Sequence, residues 1–137
     1  MKNKKQNPSF AFIFKQKISM TTQDIANRLV ALSREGNFEQ IYQELYDANA
    51  KSIEPPNEYG LGTIEGLHNF AAKGAEFNAQ FVEFHSFYLG EPIVAGDYFA
   101  ISMGYDATHK TAGRVQLDEI ALYHVQNGKV VSEQFFY

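Results

Sequence analysis

The pattern of the chain changes near residue 80, and that change limits the folds open to it. Before it, apolar residues recur every three or four positions. Ile25, Leu29 and Leu32, with Ala26 and Val30 beside them, mark one face of a helix. Thr21 or Thr22 can cap that helix, Asp24 sits in its first turn and Gly36 stops it. Asn37 opens a second helix. Gln40 stands where a capping box places its partner, and Phe38, Ile41, Tyr42 and Leu45 form the buried stripe. Residues 50–54 read as a short strand, ended by Pro55 and Pro56. A third helix is expected over about 63–78, with Ile64, Leu67, Phe70, Ala71 and Phe77 on its inner face.

After the change the residues become aromatic and β-branched. The stretches 81–89, 93–106, 114–125 and 129–137 read as four long strands. Gly90-Glu91-Pro92 is a turn signal, and Asn127-Gly128 is a hairpin signal. Helices first and an antiparallel meander afterwards imply an α+β fold, and 137 residues imply one domain. Along 114–125 both faces carry apolar side chains: Ile120 and Leu122 on one, Val115, Leu117, Tyr123 and Val125 on the other. Helices can cover one sheet face. The other is expected to meet a second copy of the chain, giving a homodimer through the outer sheet face.

Charge excludes one class of partner. Residues 1–19 hold five lysines and no acid, so of 12 basic residues seven remain against 16 acidic ones, a net of −9 for the rest. A domain so acidic is a poor binder of nucleic acid, which needs clustered Lys and Arg. Residues 1–19 are expected to be a basic extension outside the fold, or else to add an edge strand through FAFIF at 10–14. That apolar run is shorter than the roughly 7–15 residues of a secretory core. No stretch approaches the roughly 20 apolar residues of a membrane span. The absence of cysteine excludes disulfides and thiolate chemistry, and fits a reducing, cytoplasmic compartment.

Several local phrases carry a resemblance: REGNFEQIYQELY at 34–46, SIEP at 52–55 followed by Ile64-Glu65-Gly66, and NGKVVSEQFFY at 127–137. With the order of elements, they make residues 20–137 resemble the SnoaL-like branch of the nuclear transport factor 2-like superfamily. The resemblance implies a cystatin-like cone, in which three N-terminal helices pack in a strongly curved antiparallel sheet and a pocket opens at one end. Members include polyketide cyclases, ketosteroid isomerases and scaffold-like dimers, so the fold alone names no activity.

Site residues follow from the same resemblance. The isomerases place a general base immediately before a proline at the end of the short strand, where this chain has Glu54 and Pro55. A carboxylate in an apolar pocket becomes a stronger base and can take a proton next to a carbonyl. The plainer reading of Glu54 is a solvated acid at the rim. The isomerases' oxyanion-binding tyrosine falls at Leu29, and their neutral acid falls at Asp118 with a two-residue shift or at Ile120 without it. If Asp118 faces the pocket, strand alternation sends Gln116 and His124 the same way, with Glu133, Phe135 and Tyr137 on the last strand. A register one residue off moves such a set outward. Tyr59 and His85 complete the expected lining, His85 by alternation with Phe81, Glu83 and Phe87. The four histidines have no metal-ligand spacing, so no metal or other cofactor is expected. The reading is cofactor-free proton transfer on a small apolar carbonyl or cyclic compound, with Glu54, Asp118 or Glu133 as base. Its rival is a dimer that binds a small apolar ligand without chemistry.

Overall fold

A computed structural model describes residues 20–56 and 62–137. The expectations for residues 1–19 and for Tyr59 fall outside these residues. Helix α1 (Thr22–Arg34) starts as the sequence implies: Thr21 and Asp24 exchange hydrogen bonds in a capping box. Helix α2 (Phe38–Leu45) runs straight into strand β1 (Tyr46–Ile53), which begins four residues earlier than its apolar end suggests. Its buried stripe is Ile41 and Leu45, whereas Phe38 is 56% exposed at the mouth of the molecule's large cavity.

The expected third helix is shorter. Ile64–Glu65 forms strand β2, paired antiparallel with Lys51 and Ser52 of β1. Gly66 then takes a φ of +88°, which a helix cannot continue through. A 3-10 turn at Leu67–Asn69 leads into helix α3 (Phe70–Asn78). Phe70 is buried, but Ala71 is exposed, because the inner face of α3 follows Phe70, Lys73 and Phe77.

Five strands complete the sheet: β3 (Phe81–Leu89), β4 (Ile93–Ala95), β5 (Tyr98–His109), β6 (Gly113–Gln126) and β7 (Lys129–Phe136). The stretch 93–106, read as one strand, is a hairpin. Gly96 at φ +57° and Asp97 turn the chain, and Ala95 pairs with Tyr98. Asn127 and Gly128, both at positive φ, join β6 to β7 as expected. The sheet order is β2-β1-β7-β6-β5-β3, with β4 also on β5. Every described pairing is antiparallel except β1 with β7, which is parallel and makes the sheet mixed.

The inner face of the sheet has two halves. At one end α1 lays Ile25, Leu29 and Leu32 against Phe99, Ile101, Ala121 and Tyr123, all at most 4% exposed. Phe99 stacks on Tyr123 with ring centroids 4.6 Å apart. Each fully buried aliphatic or aromatic side chain contributes about 1.5–3 kcal/mol. At the other end no helix fills the curve, and a cavity remains. Phe99→Ala should therefore cost about 3–5 kcal/mol in urea unfolding, while Phe38→Ala should stay within about 0.5 kcal/mol of the parent.

Candidate functional site

The cavity has a volume of about 1140 Å³ and is lined mainly by apolar side chains. Helix α3 presents Phe70, Lys73 and Phe77 to it, and β5 and β6 present Met103, Tyr105, Leu117 and Glu119. Four carboxylates line it: Glu35 after α1, Glu54 at the end of β1, Glu119 on β6 and Glu133 on β7.

Glu54 and Glu133 belong to one chain of polar contacts. Tyr137 donates to Glu54 Oε2 at 2.9 Å, and Lys73 Nζ lies 2.6 Å from Glu54 Oε1. Lys73 also donates to Ser52 Oγ at 2.5 Å and sits 5.0 Å from the centre of the Phe135 ring. Ser52 pairs with Glu133 across the parallel strands and hydrogen-bonds its carboxyl group. Tyr46 donates to Glu133 Oε2 at 2.5 Å. Glu133 is only 6% exposed, and burial raises its pKa despite the Tyr46 hydrogen bond and the Lys73 charge. Burial likewise holds Tyr46 and Tyr123 well above the ordinary phenol range.

Glu119 differs from its neighbours. It is half-buried on the cavity wall and accepts no hydrogen bond from any described residue. Burial first, then the charge of Glu54, pushes its pKa up to about 7, with Lys73 opposing. A carboxyl group that titrates near neutrality inside an apolar cavity can take a proton and return it. Tyr105, on the adjacent strand, is raised to about 12 by burial and by the charge of Glu119.

Glu54, Glu133, Phe135 and Tyr137 line the cavity, and Gln116 reaches its rim. Asp118 and His124 do not. Asp118 is exposed on the outer face and accepts from Tyr88 at 2.7 Å. His124 stacks on Tyr98 on that same face, ring centroids 4.3 Å apart. A β-bulge in β7 separates Glu133 from them. Val125 pairs with Val130 but His124 pairs with Ser132, leaving Val131 as an extra residue. An unbroken ladder from the hairpin would set Glu133 opposite Leu122, on the face of Asp118. The bulge sets it opposite Tyr123, on the face of Glu119.

Bulges also displace His85. The register of β3 shifts between Phe81 and Glu83 and again between Phe84 and Ser86. Phe81, Phe84 and Phe87 consequently stack along one side, with centroids 4.7 and 5.0 Å apart. His85 lies outside the cavity lining, with Nε2 2.7 Å from Thr108 Oγ1.

The sequence reading passed over Glu119 and Lys73. Lys73 carried a signal, since it follows Phe70 by three positions and precedes Phe77 by four, on the stripe of the helix. Glu119 carried a weaker one, its alternation with Leu117, Ala121 and Tyr123.

A helix-backed curved sheet that closes around an acid-containing cavity at one end defines the class, and comparison with known proteins gives the family. The model of the SnoaL-like domain matches residues 20–137, and the chain belongs to that family. A comparison with curated protein sequences found no match. Among solved structures, a Mesorhizobium loti protein named for its likeness to SnoaL polyketide cyclases is 30% identical, with a TM-score of 0.78 over 86% of this chain and 100% of its own. A Xanthomonas campestris protein of unknown function with a cystatin-like fold is 18% identical, with a TM-score of 0.71 over 85% of this chain and 90% of its own. A Catenulispora acidiphila protein with a ketosteroid isomerase-like fold, solved with trimethylamine, is 19% identical, with a TM-score of 0.64 over 85% of this chain and 87% of its own. No helix among the described residues is long and apolar enough to cross a membrane.

The raised pKa of Glu119 has a consequence for stability. The unfolded carboxyl group ionises near its ordinary 4.5 and the folded one near 7. Between these values the folded state keeps a proton that the unfolded state has lost, so the group destabilises the fold increasingly as pH rises. Glu119→Gln should raise stability at pH 8 by roughly 2 kcal/mol, and the gain should vanish below about pH 4.5. Urea unfolding across pH checks it.

Proposed function

We propose that the chain is a cofactor-free acid/base catalyst of the isomerase or cyclase type, acting on a small apolar carbonyl or cyclic compound, with Glu119 as the proton-transferring group. One observation carries this reading: of the four cavity carboxylates, Glu119 alone has no described hydrogen-bond partner, while burial brings it into the range useful for proton transfer. Glu54 is tied to Lys73 and Tyr137, Glu133 to Tyr46, and Glu35 to Asn37. The apolar lining holds the ligand's body and keeps bulk water away from the reacting carbon. The naming of the 30% identical relative after polyketide cyclases agrees with this class of chemistry.

The rival, a dimer that binds an apolar ligand without chemistry, draws support from the way Glu54 and Glu133 are satisfied by neighbouring side chains. Both readings share the outer sheet face. Ile120 and Phe136 are neighbours across β6 and β7 there, 51% and 48% exposed, and Tyr98 is 46% exposed. A second copy of the chain covers this patch in our reading, because so much apolar surface in contiguous strands favours association.

Native mass spectrometry of the purified protein, followed by organic extraction, should give a dimer mass with a small-molecule increment and identify the ligand class. With that compound as substrate, turnover should rise with pH through about 7. Glu119→Gln should lower it by at least about 100-fold, and Asp118→Asn should leave it unchanged. Full activity in Glu119→Gln would remove Glu119 as the proton-transferring group, and absence of turnover in the parent protein would favour the binding reading. Ile120→Glu should convert the dimer to monomer in sedimentation, and an unaltered sedimentation coefficient would remove the sheet face as the interface.

A further inference from the structure

Removing a proton next to a carbonyl leaves negative charge on the oxygen, and a site that does this needs something to receive that charge. The wall where the isomerases of this superfamily carry a tyrosine is formed here by Leu29, 3% exposed and without a donor. The opposite wall carries an ammonium group. Lys73 projects from α3, its side chain 12% exposed, on the same helical face as Phe70 and Phe77.

We propose that Lys73 is a second catalytic group: it receives the ligand oxygen on which charge develops, and Glu54 and Ser52 are positioning residues that aim it. The proposal rests on the acid/base reading given above. An ammonium has three N–H donors. Two are engaged, by Glu54 Oε1 at 2.6 Å and Ser52 Oγ at 2.5 Å. No described residue takes the third. The ring of Phe135, 5.0 Å from Nζ to its centre, supports the positive charge from another side.

The alternatives are weaker donors. The hydroxyl protons of Tyr137 and Tyr46 are committed to Glu54 and Glu133. Tyr42 and Tyr105 line the cavity as neutral phenols. A charged donor makes a hydrogen bond roughly twice as strong as a neutral one. Arg34 lies at the rim, where Glu91 holds it at 2.6 Å.

The electron flow closes without an outside reagent. The Glu119 carboxylate takes the proton from the carbon beside the carbonyl. The C–H electron pair becomes the C=C bond, and the carbonyl π pair moves to oxygen, giving an enolate paired with the Lys73 ammonium. Where a second C=C bond is conjugated with the enolate, return of the proton to its far carbon shifts that double bond toward the carbonyl, re-forms the C=O bond and restores both residues. Lys73 stays protonated throughout. Lys73 and Glu119 line the same cavity, where one ligand can meet both.

The test uses 4-nitrophenol, whose ionised form is yellow and whose neutral form is not, bound in the Glu119→Gln protein. The other titratable groups lining the cavity are then Glu54, Glu133, Lys73, Arg34, Glu35, His109 and the tyrosines. With Lys73 in place, the bound phenol should ionise about 1–3 pH units below its midpoint in water. Adding Lys73→Met should abolish that shift while the probe still binds. A Lys73→Met/Glu54→Gln version, which leaves no carboxylate unpaired, guards against a folding defect and should behave the same way. If the shift persists without Lys73, the inference is overturned, while the role of Glu119 still stands on its own activity measurements. If the probe does not bind the Glu119→Gln protein at all, the apolar-ligand reading fails and this inference fails with it.

Discussion

One extra residue in the last hairpin, Val131, decides which side chains share the cavity. Strand side chains alternate strictly, so the partner of each residue fixes its face. By shifting the ladder between Val125 and His124, the bulge puts Val130 and Glu133 on the same inner face although they are three positions apart. Val130 can then fill the core beneath α1 while Glu133 reaches Ser52 on β1 and Tyr46 at its start. A regular β7 would satisfy one of these demands and break the other. Core packing at one end and the polar cluster at the other therefore depend on the same local irregularity.

The cavity exists because the helices are too short to cover the sheet. Helix α1 covers the half of β5 that begins at Phe99 and Ile101, and the matching half of β6. Helix α3 is only nine residues long and stands at the edge of the other half. Along β5 and β6 the buried inner positions give way to half-buried ones at Met103, Tyr105, Leu117 and Glu119. The same pleat that builds the core thus lines the cavity, with only the covering helix removed. Phe81 and Phe87, turned to one side with Phe84 by two bulges, extend that lining toward solvent.

Element types were legible in the sequence wherever periodicity was regular. The capped first helix, the stop at Gly36 and the Asn127-Gly128 hairpin all follow from local chemistry with known geometry. The family was legible too, since order of elements and local phrases survive where individual side chains do not. What periodicity could not convey was irregularity. Bulges carry no residue signature strong enough to locate from one sequence, and each reverses the face of everything beyond it. His85 was misplaced for that reason. Strand β6 pairs with β5 without a break, so Asp118 and His124 were misplaced because its even positions were read as the inner ones, and Glu119 on the odd positions was overlooked with them; the bulge in β7 hid that Glu133 shares the face of Glu119. Lys73 was overlooked for a different one. A charged residue on a helical stripe reads as a break in the apolar pattern, whereas here it is paired inside the cavity.

Burial sets the electrostatics of the cluster, and a shortage of positive charge adds to it. Among the described residues three carboxyl groups face Lys73 and one another. One cation cannot neutralise three anions in an apolar setting, so the carboxyl groups divide the protons among themselves. Glu54 lies against Lys73 at 2.6 Å. Glu133, the most deeply buried, is driven toward its protonated form, in which it stays hydrogen-bonded to Tyr46 and Ser52. Glu119 is left between these extremes, where the free energies of its two forms are close near neutral pH. That intermediate position is the useful one. A stronger acid would hold too little affinity for a proton, and a weaker one would already carry it. The pairing of Lys73 with Glu54 thus tunes a residue that touches neither of them by hydrogen bond, and it does so through charge alone.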